Sequence, residues 1–177
     1  MDVLTPKDEM LQIITAEHAA WQALLTATGE DRMTLPGAAE PDWTVKDVIA
    51  HLTAWRRRSC DRLEAALHHA PLALPPWSAD LDEDSPDGTD RINDRFLQAA
   101  RRQSPAEVLA ESEATWARLE ALVRALPEAA LQAPQPLAGV PDRPLGPAVL
   151  NGSLEHLHEH VGMLAIQGWR QGRPVGA

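Results

Sequence analysis

Residues 43–55, WTVKDVIAHLTAW, contain the start of a long amphipathic helix. Thr44 and Asp47 have the spacing of a capping box, with Asp at the position where Glu or Gln is usual. Apolar residues then recur at helical spacing as far as Leu67. The pattern predicts a helix that buries one face in a core, and it places His51 in the second turn among apolar neighbours.

Three further long helices are indicated by the same kinds of signal. Thr5-Pro6 and Ser104-Pro105 each pair a capping residue with a proline at the first helical position. Apolar residues follow both pairs at helical spacing. The predicted ranges are about 6–29, 45–70, 105–126 and 147–169, with a short additional helix at about 89–102.

The connection between the second and third helices, about 71–104, is long. Short loops force consecutive helices to run antiparallel, whereas a crossover of this length allows them to run in the same direction. The 177 residues suit one domain, and neither strand-type alternation nor an internal repeat stands out. We therefore predict one all-α domain over residues 1–177, a four-helix bundle.

The composition restricts the possible partners. Sixteen Lys and Arg against 26 Asp and Glu give a net charge of −10, which argues against binding to a nucleic acid backbone. Cys60 is the single cysteine, so no internal disulfide can form. The N-terminus lacks the pattern of a signal peptide, and no apolar stretch approaches the roughly 18 residues of a membrane span. We expect a cytoplasmic protein without membrane contact.

The most concentrated basic run is Arg56-Arg57-Arg58. Three successive helical residues point in three directions, so the run favours an ordinary solvated face. Arg58 has a second interpretation, because it lies seven residues after His51 and returns to the same face of the helix. There it would hold a carboxylate of the substrate or cofactor.

A second informative stretch is residues 151–164, NGSLEHLHEHVGML. His156 and His160 are four residues apart, so on a helix both imidazoles can bind one ion. With His51 as a third ligand, they would form a metal site with an open coordination position. The alternative is a solvated turn whose histidines face water, and the spacing alone leaves both open. The chain has no His-Glu-x-x-His motif, which argues against a metalloprotease.

Three carboxylates border the predicted histidine site. Glu155 and Glu159 form a row beside the histidines on the same helix, and we predict Glu159, or alternatively Glu155, as the proton carrier of a reaction there. Asp47 lies one turn before His51 and is predicted either to orient the imidazole or to cap the helix.

The stretches 43–55 and 155–160 together resemble the second-helix and last-helix signatures of DinB-like proteins, particularly the branch related to ClbS and DfsB. The mycothiol-dependent maleylpyruvate isomerases are similar in their N-terminal domain. The resemblance implies an up-down-down-up bundle, commonly a homodimer, with a three-histidine divalent metal site at His51, His156 and His160. Arg56 departs from the family pattern, because an acidic residue is frequent at that position.

The residues and the resemblance support three hypotheses of function. The first is a metal-dependent enzyme, with zinc or nickel favoured and iron also suitable, that transfers a low-molecular-weight thiol to an electrophile or hydrolyses a small molecule. The second is a noncatalytic protein that binds a small molecule or protects against stress. The third is a structural dimer whose metal site has decayed.

Overall fold

Capping boxes determine where three of the long helices begin. The side chains of Thr5, Thr44 and Ser104 each accept a hydrogen bond from the backbone three residues later, and the acidic residue there bonds back to the cap. The computed structural model describes residues 4–36, 43–75, 77 and 80–160. Its helices are α1 Pro6–Thr28, α2 Val45–Leu67, α3 Pro86–Ala100, α4 Pro105–Ala125, α5 Glu128–Gln132 and α6 Leu145–Leu150.

The helix α6 continues without a break into a π-helical turn, Asn151–Glu155, and then into helical residues 156–160. We call the whole segment 145–160 the last helix. Two short 3₁₀ turns, Glu30–Arg32 and Pro136–Ala138, and two strands, β1 Pro134–Gln135 and β2 Val140–Pro144, complete the described elements. The predicted end of the last helix, at about 169, lies outside the described residues.

Contacts between side chains show that α2 and α4 run in the same direction. Arg57 pairs with Glu111 at 3.4 Å, and further along both helices Asp61 pairs with Arg118 at 3.1 Å. Residue numbers rise together on the two helices, so they are parallel. The long crossover through α3 makes this arrangement possible, as expected from its length.

The first helix α1 runs opposite to α4. Lys7, at the start of α1, donates to the carbonyl of Leu126 after the end of α4, whereas His18 contacts Glu113 nearer the beginning of α4. The last helix runs opposite to α2, because Gly152 lies against Ser59 while the later His156 lies against His51. The up-down-down-up topology of the all-α bundle is therefore confirmed.

Two parts of the connections differ from the prediction. Helix α3 begins at Pro86, about three residues earlier than expected, because Ser85 caps it by accepting from the backbone of Gly88. The antiparallel strands β1 and β2 were not predicted from sequence. They are so short and rich in proline that no apolar alternation marks them.

The prediction of a solvated face at the arginine run is wrong for two of its three residues. Arg56 is 0% exposed and Arg58 is 5% exposed, whereas Arg57 is exposed. The reason is the position of α2, which packs against α3, α4 and the last helix and so has little free surface. Among the described residues, no helix combines the length and apolar character needed to cross a membrane.

Candidate metal centre

His51 enters the core from the second turn of α2. The capping box at Thr44 and Asp47 fixes the start of the helix, and the pattern of apolar neighbours then turns His51 inward, where it is 3% exposed. The ring of Trp43 meets the His51 ring edge-on, with 5.2 Å between centroids. The imidazole is therefore held in a dry, aromatic environment.

The last helix brings two further imidazoles to His51. The Nε2 atoms of His51 and His156 are 2.9 Å apart, and those of His156 and His160 are 3.2 Å apart. One ligand atom from each of the three histidines can be chosen such that all lie within 4.8 Å of one another. Tetrahedral zinc with bonds of 2.0–2.1 Å needs nitrogens about 3.3 Å apart, so the two measured separations are close to those that a divalent ion requires.

A π-helical turn immediately precedes this pair of histidines. Asn151–Glu155 has one extra residue per turn, and turns of this kind occur frequently at functional sites. Within it, Gly152 lies so close to α2 that a β-carbon there would be 3.3 Å from the Ser59 hydroxyl. The glycine therefore permits the close approach of the last helix to the helix that carries His51.

Burial keeps the imidazoles of His51 and His156 neutral. Loss of solvation, reinforced by the neighbouring His156 and His160, lowers the pKa of His51 to about 2. Loss of solvation also lowers the pKa of His156 to about 4, with contributions from His160 and from the charge of Arg56. Neutral imidazoles offer the lone pairs that metal binding requires, so no proton has to be displaced at neutral pH.

Asp47 acts as the helix cap. Its Oδ2 accepts from the backbone and the hydroxyl of Thr44 at 2.9 and 2.8 Å. Its Oδ1 and the Nδ1 of His51 are both buried and have no hydrogen-bond partner among the described residues. Of the two predicted roles, the structure shows the cap.

A cleft of about 290 Å³ opens beside the histidines. Its lining includes His156 together with Glu155 and Glu159, both of which are exposed. Glu155 accepts a hydrogen bond from Asn151, whereas Glu159 lies one turn beyond it at the rim. The role of Glu159 as a proton carrier stays a prediction that this position suits. The other lining residues are Trp55, Thr89, Asn93, Asn151 and Gly152.

Arg58 is not brought to the histidines. Its guanidinium binds Glu83 at 2.8 Å and donates to the carbonyl of Ala73 at 2.9 Å. Arg62 also reaches Glu83, at 3.3 Å. The carboxylate that Arg58 holds is thus one from this chain, and the pair ties the connection after α2 to that helix.

Two tryptophans lie against the histidine cluster, a feature that was not predicted from the sequence. The ring of Trp43 stacks on His160 at 6.3 Å with an interplanar angle of 7°, and Trp55 meets His156 edge-on at 6.4 Å. Trp55 lies four residues after His51, so the same helical spacing that selected His156 and His160 would have placed it beside the site.

Cys60 is sealed in the core between α2 and α4, with its Sγ 3.9 Å from the carbonyl of Thr115. Burial raises the pKa of the thiol to about 12. We expect native protein at pH 8 to react with a thiol reagent such as iodoacetamide at least about 100-fold more slowly than urea-unfolded protein, because the thiolate is scarce and inaccessible. Mass spectrometry of timed samples measures this ratio, and equal rates in the two states would contradict it.

Comparison with known proteins identifies the family. The model of the DinB superfamily matches residues 38–164, a range that includes all three histidines. No curated protein and no solved structure matches the chain significantly. The closer resemblance to the ClbS and DfsB branch stays a prediction. A match over more than half of the chain, together with the all-α bundle, shows that the protein belongs to the DinB superfamily.

Proposed function

We propose that the protein is a divalent-metal-dependent enzyme that acts on a small molecule, with His51, His156 and His160 as the metal ligands. The proposal depends on the convergence of three histidine rings from two helices. The pKa values of two of these rings, His51 and His156, are strongly lowered. Histidine clusters of this kind suit zinc and nickel, and also iron. Three protein ligands leave at least one coordination position for another molecule.

A bound ion would supply Lewis-acid chemistry, which lowers the pKa of a water or thiol and polarises a reacting group. The chain supplies the surroundings. Trp43 and Trp55 exclude water from the imidazoles on two sides, while the cleft beside His156 admits a small molecule. Glu159 at the rim accepts the proton released by the attacking group and returns it to the leaving group.

The proposed nucleophile is a small molecule from outside the chain, because the chain offers no accessible thiol. Cys60 is the single cysteine and is buried away from the cleft, so it cannot attack a bound molecule. The remaining candidates are a low-molecular-weight thiol and water. The reaction class we propose is therefore transfer of a small thiol to an electrophile, or hydrolysis of the same electrophile.

A second candidate function is noncatalytic sequestration of a small molecule. It is favoured by a separate aromatic cluster in which Trp55, Trp77 and Phe96 meet at 5.8 Å. Trp55 belongs both to this cluster and to the wall of the histidine site. A flat apolar molecule bound there would lie beside His156 without needing to react.

Chelation distinguishes the two functions. We expect the purified protein to contain about one zinc, nickel or iron per chain, and to consume a thiol and an electrophile such as an epoxide or a haloarene. Treatment with a chelator should abolish turnover, and zinc or nickel should restore it. Elemental analysis and a thiol-consumption assay measure these outcomes. Binding of the electrophile without turnover, unchanged by the chelator, would support sequestration and contradict the enzyme.

A further inference from the structure

Arg56 is a buried cation without a counter-ion in contact. The side chain is 0% exposed, and its Cζ lies 3.8 Å over the ring of Trp116. Its three guanidinium nitrogens have no hydrogen-bond partner in the described part of the chain. Stacking on one aromatic face offsets only part of the cost of burying a charge, which is several kcal/mol.

A hydroxyl on α4 lies at the same level of the bundle. Arg57 pairs with Glu111 across the parallel helices α2 and α4, so the preceding Arg56 and the following Ser112 lie at nearly the same height. Ser112 is buried, and its Oγ has no hydrogen-bond partner among the described residues. Trp116 lies one turn further along α4, in contact with the guanidinium.

The first helix contributes an indole at this level. His18 and Gln22 both bond to Glu113, the residue after Ser112, and Trp21 lies between them on α1. Trp21 is buried, and its Nε1 finds no acceptor within the ranges that the structure describes.

The last helix contributes a second hydroxyl. Gly152 lies against Ser59, which is one turn after Arg56 on α2, and Ser153 follows directly. Ser153 is buried, and its Oγ is also without a partner among the described residues. All four helices therefore bring an unpartnered hydrogen-bond donor to one level of the bundle, and one of these donors carries a full charge.

We propose that this level is a binding site for a carboxylate group, held by Arg56 and the hydroxyls of Ser112 and Ser153. Buried water would satisfy the hydroxyls but would add no negative charge, and the Glu113 carboxylate acts on Arg56 only through space, without a hydrogen bond to its guanidinium. A carboxylate matches both the single charge and the planar fork of a guanidinium. The described residues place no carboxylate of the chain itself in hydrogen-bonding contact with Arg56.

The proposed carboxylate site adjoins the proposed metal centre. The identification of the substrate as a carboxylate rests on the proposed function of that centre. The positive charge of Arg56 is close enough to His156 to contribute to the lowered pKa of that imidazole. Gly152 links the two places, because it lines the cleft beside His156 and also contacts α2 next to Ser153. The substrate or the small thiol is therefore a carboxylic acid. Arg56 takes the role that the sequence suggested for Arg58.

Formate and acetate are suitable probes, tested on metal-free protein at constant ionic strength. We expect either anion at 50 mM to raise the melting temperature of the wild type by several degrees relative to chloride. Arg56→Met should remove the shift and weaken formate binding by at least about tenfold, because a charged hydrogen bond is lost. Arg57→Met removes the neighbouring exposed charge and should leave the shift unchanged. Thermal melts and calorimetric titration measure both effects.

Two milder variants test the same site if Arg56→Met does not fold. Ser112→Ala and Ser153→Ala should each weaken formate binding a few-fold while the helical signal is retained. Equal responses of the wild type and Arg56→Met, or no response to formate in the wild type, would overturn the proposal. His156→Ala separates it from the proposed function: this variant should lose metal binding and keep the formate shift. A protein that binds metal but not formate would lose only the present inference.

Discussion

We expect His156→Ala to lower the affinity of the protein for zinc by at least about 100-fold, and His51→Ala to do the same. Removal of a residue that merely supports a metal ligand costs about 10- to 100-fold in affinity, so removal of one of three ligands costs more. Each ring contributes an Nε2 to the cluster, and the two remaining imidazoles form an incomplete site. Titration against a competing chelator measures the affinity over this range.

His158→Ala is the matched control, because it removes an imidazole from the same helical turn. Its side chain is 58% exposed and pairs with Glu17 on α1 at 2.8 Å, away from the cluster. We expect zinc affinity to change less than about threefold in this variant, since no ligand is lost. Equal loss of affinity in His156→Ala and His158→Ala would assign the effect to the fold. Unchanged affinity in both His51→Ala and His156→Ala would refute the ligand set.

Local chemistry explains why the long helices were predictable. Thr5, Thr44 and Ser104 satisfy the free amides at their helix starts through residues only three positions away, so the sequence pattern contains the whole interaction. The pairing of His156 with His160 is local in the same sense. Their meeting with His51 depends on packing between helices, and it was expected from the place of His51 among apolar neighbours and from the family resemblance.

The burial of Arg56 was not predictable from local pattern. A helix with a polar run normally exposes it, and the apolar stripe of α2 covers only one face. The structure surrounds α2 with three helices, so Arg56 and Arg58 become interior residues that need individual partners. Arg58 finds one in Glu83, which follows it by 25 residues in a connection without regular spacing.

The π-helical turn Asn151–Glu155 could not be predicted from the sequence either. One extra residue in a turn shifts the phase of every residue after it, and no single amino acid encodes that shift. His156 and His160 keep their relation because both follow the turn. Ser153, inside the turn, lies three residues before His156 and is buried in the bundle.

We expect the metal-free protein to lose stability as the pH falls below about 6.5. The folded-state pKa values of His51 and His156, about 2 and about 4, both lie below the ordinary value of 6.5. Between pH 6.5 and 4 the unfolded chain therefore binds protons that the folded chain excludes. Stability is full above the unfolded-state pKa and declines as acid is added, by roughly 1.4 kcal/mol per pH unit for each neutral imidazole.

The slope of the free energy of unfolding against pH should change within this range, because His51 and His156 become protonated in the folded protein at different pH values. His156 takes up its proton near pH 4, whereas His51 continues to exclude one at lower pH, since it is the more deeply buried ring. Urea unfolding at a series of pH values with a chelator present measures the slope. The double variant His51→Gln/His156→Gln should show a shallower slope than His158→Gln, which removes an exposed imidazole and keeps both clustered ones. Equal slopes in the two variants would mean that the clustered imidazoles are protonated in the folded protein at pH 5. A cluster already charged at that pH would have to release protons before it could bind an ion. The argument that burial prepares neutral ligands for a metal would then be wrong.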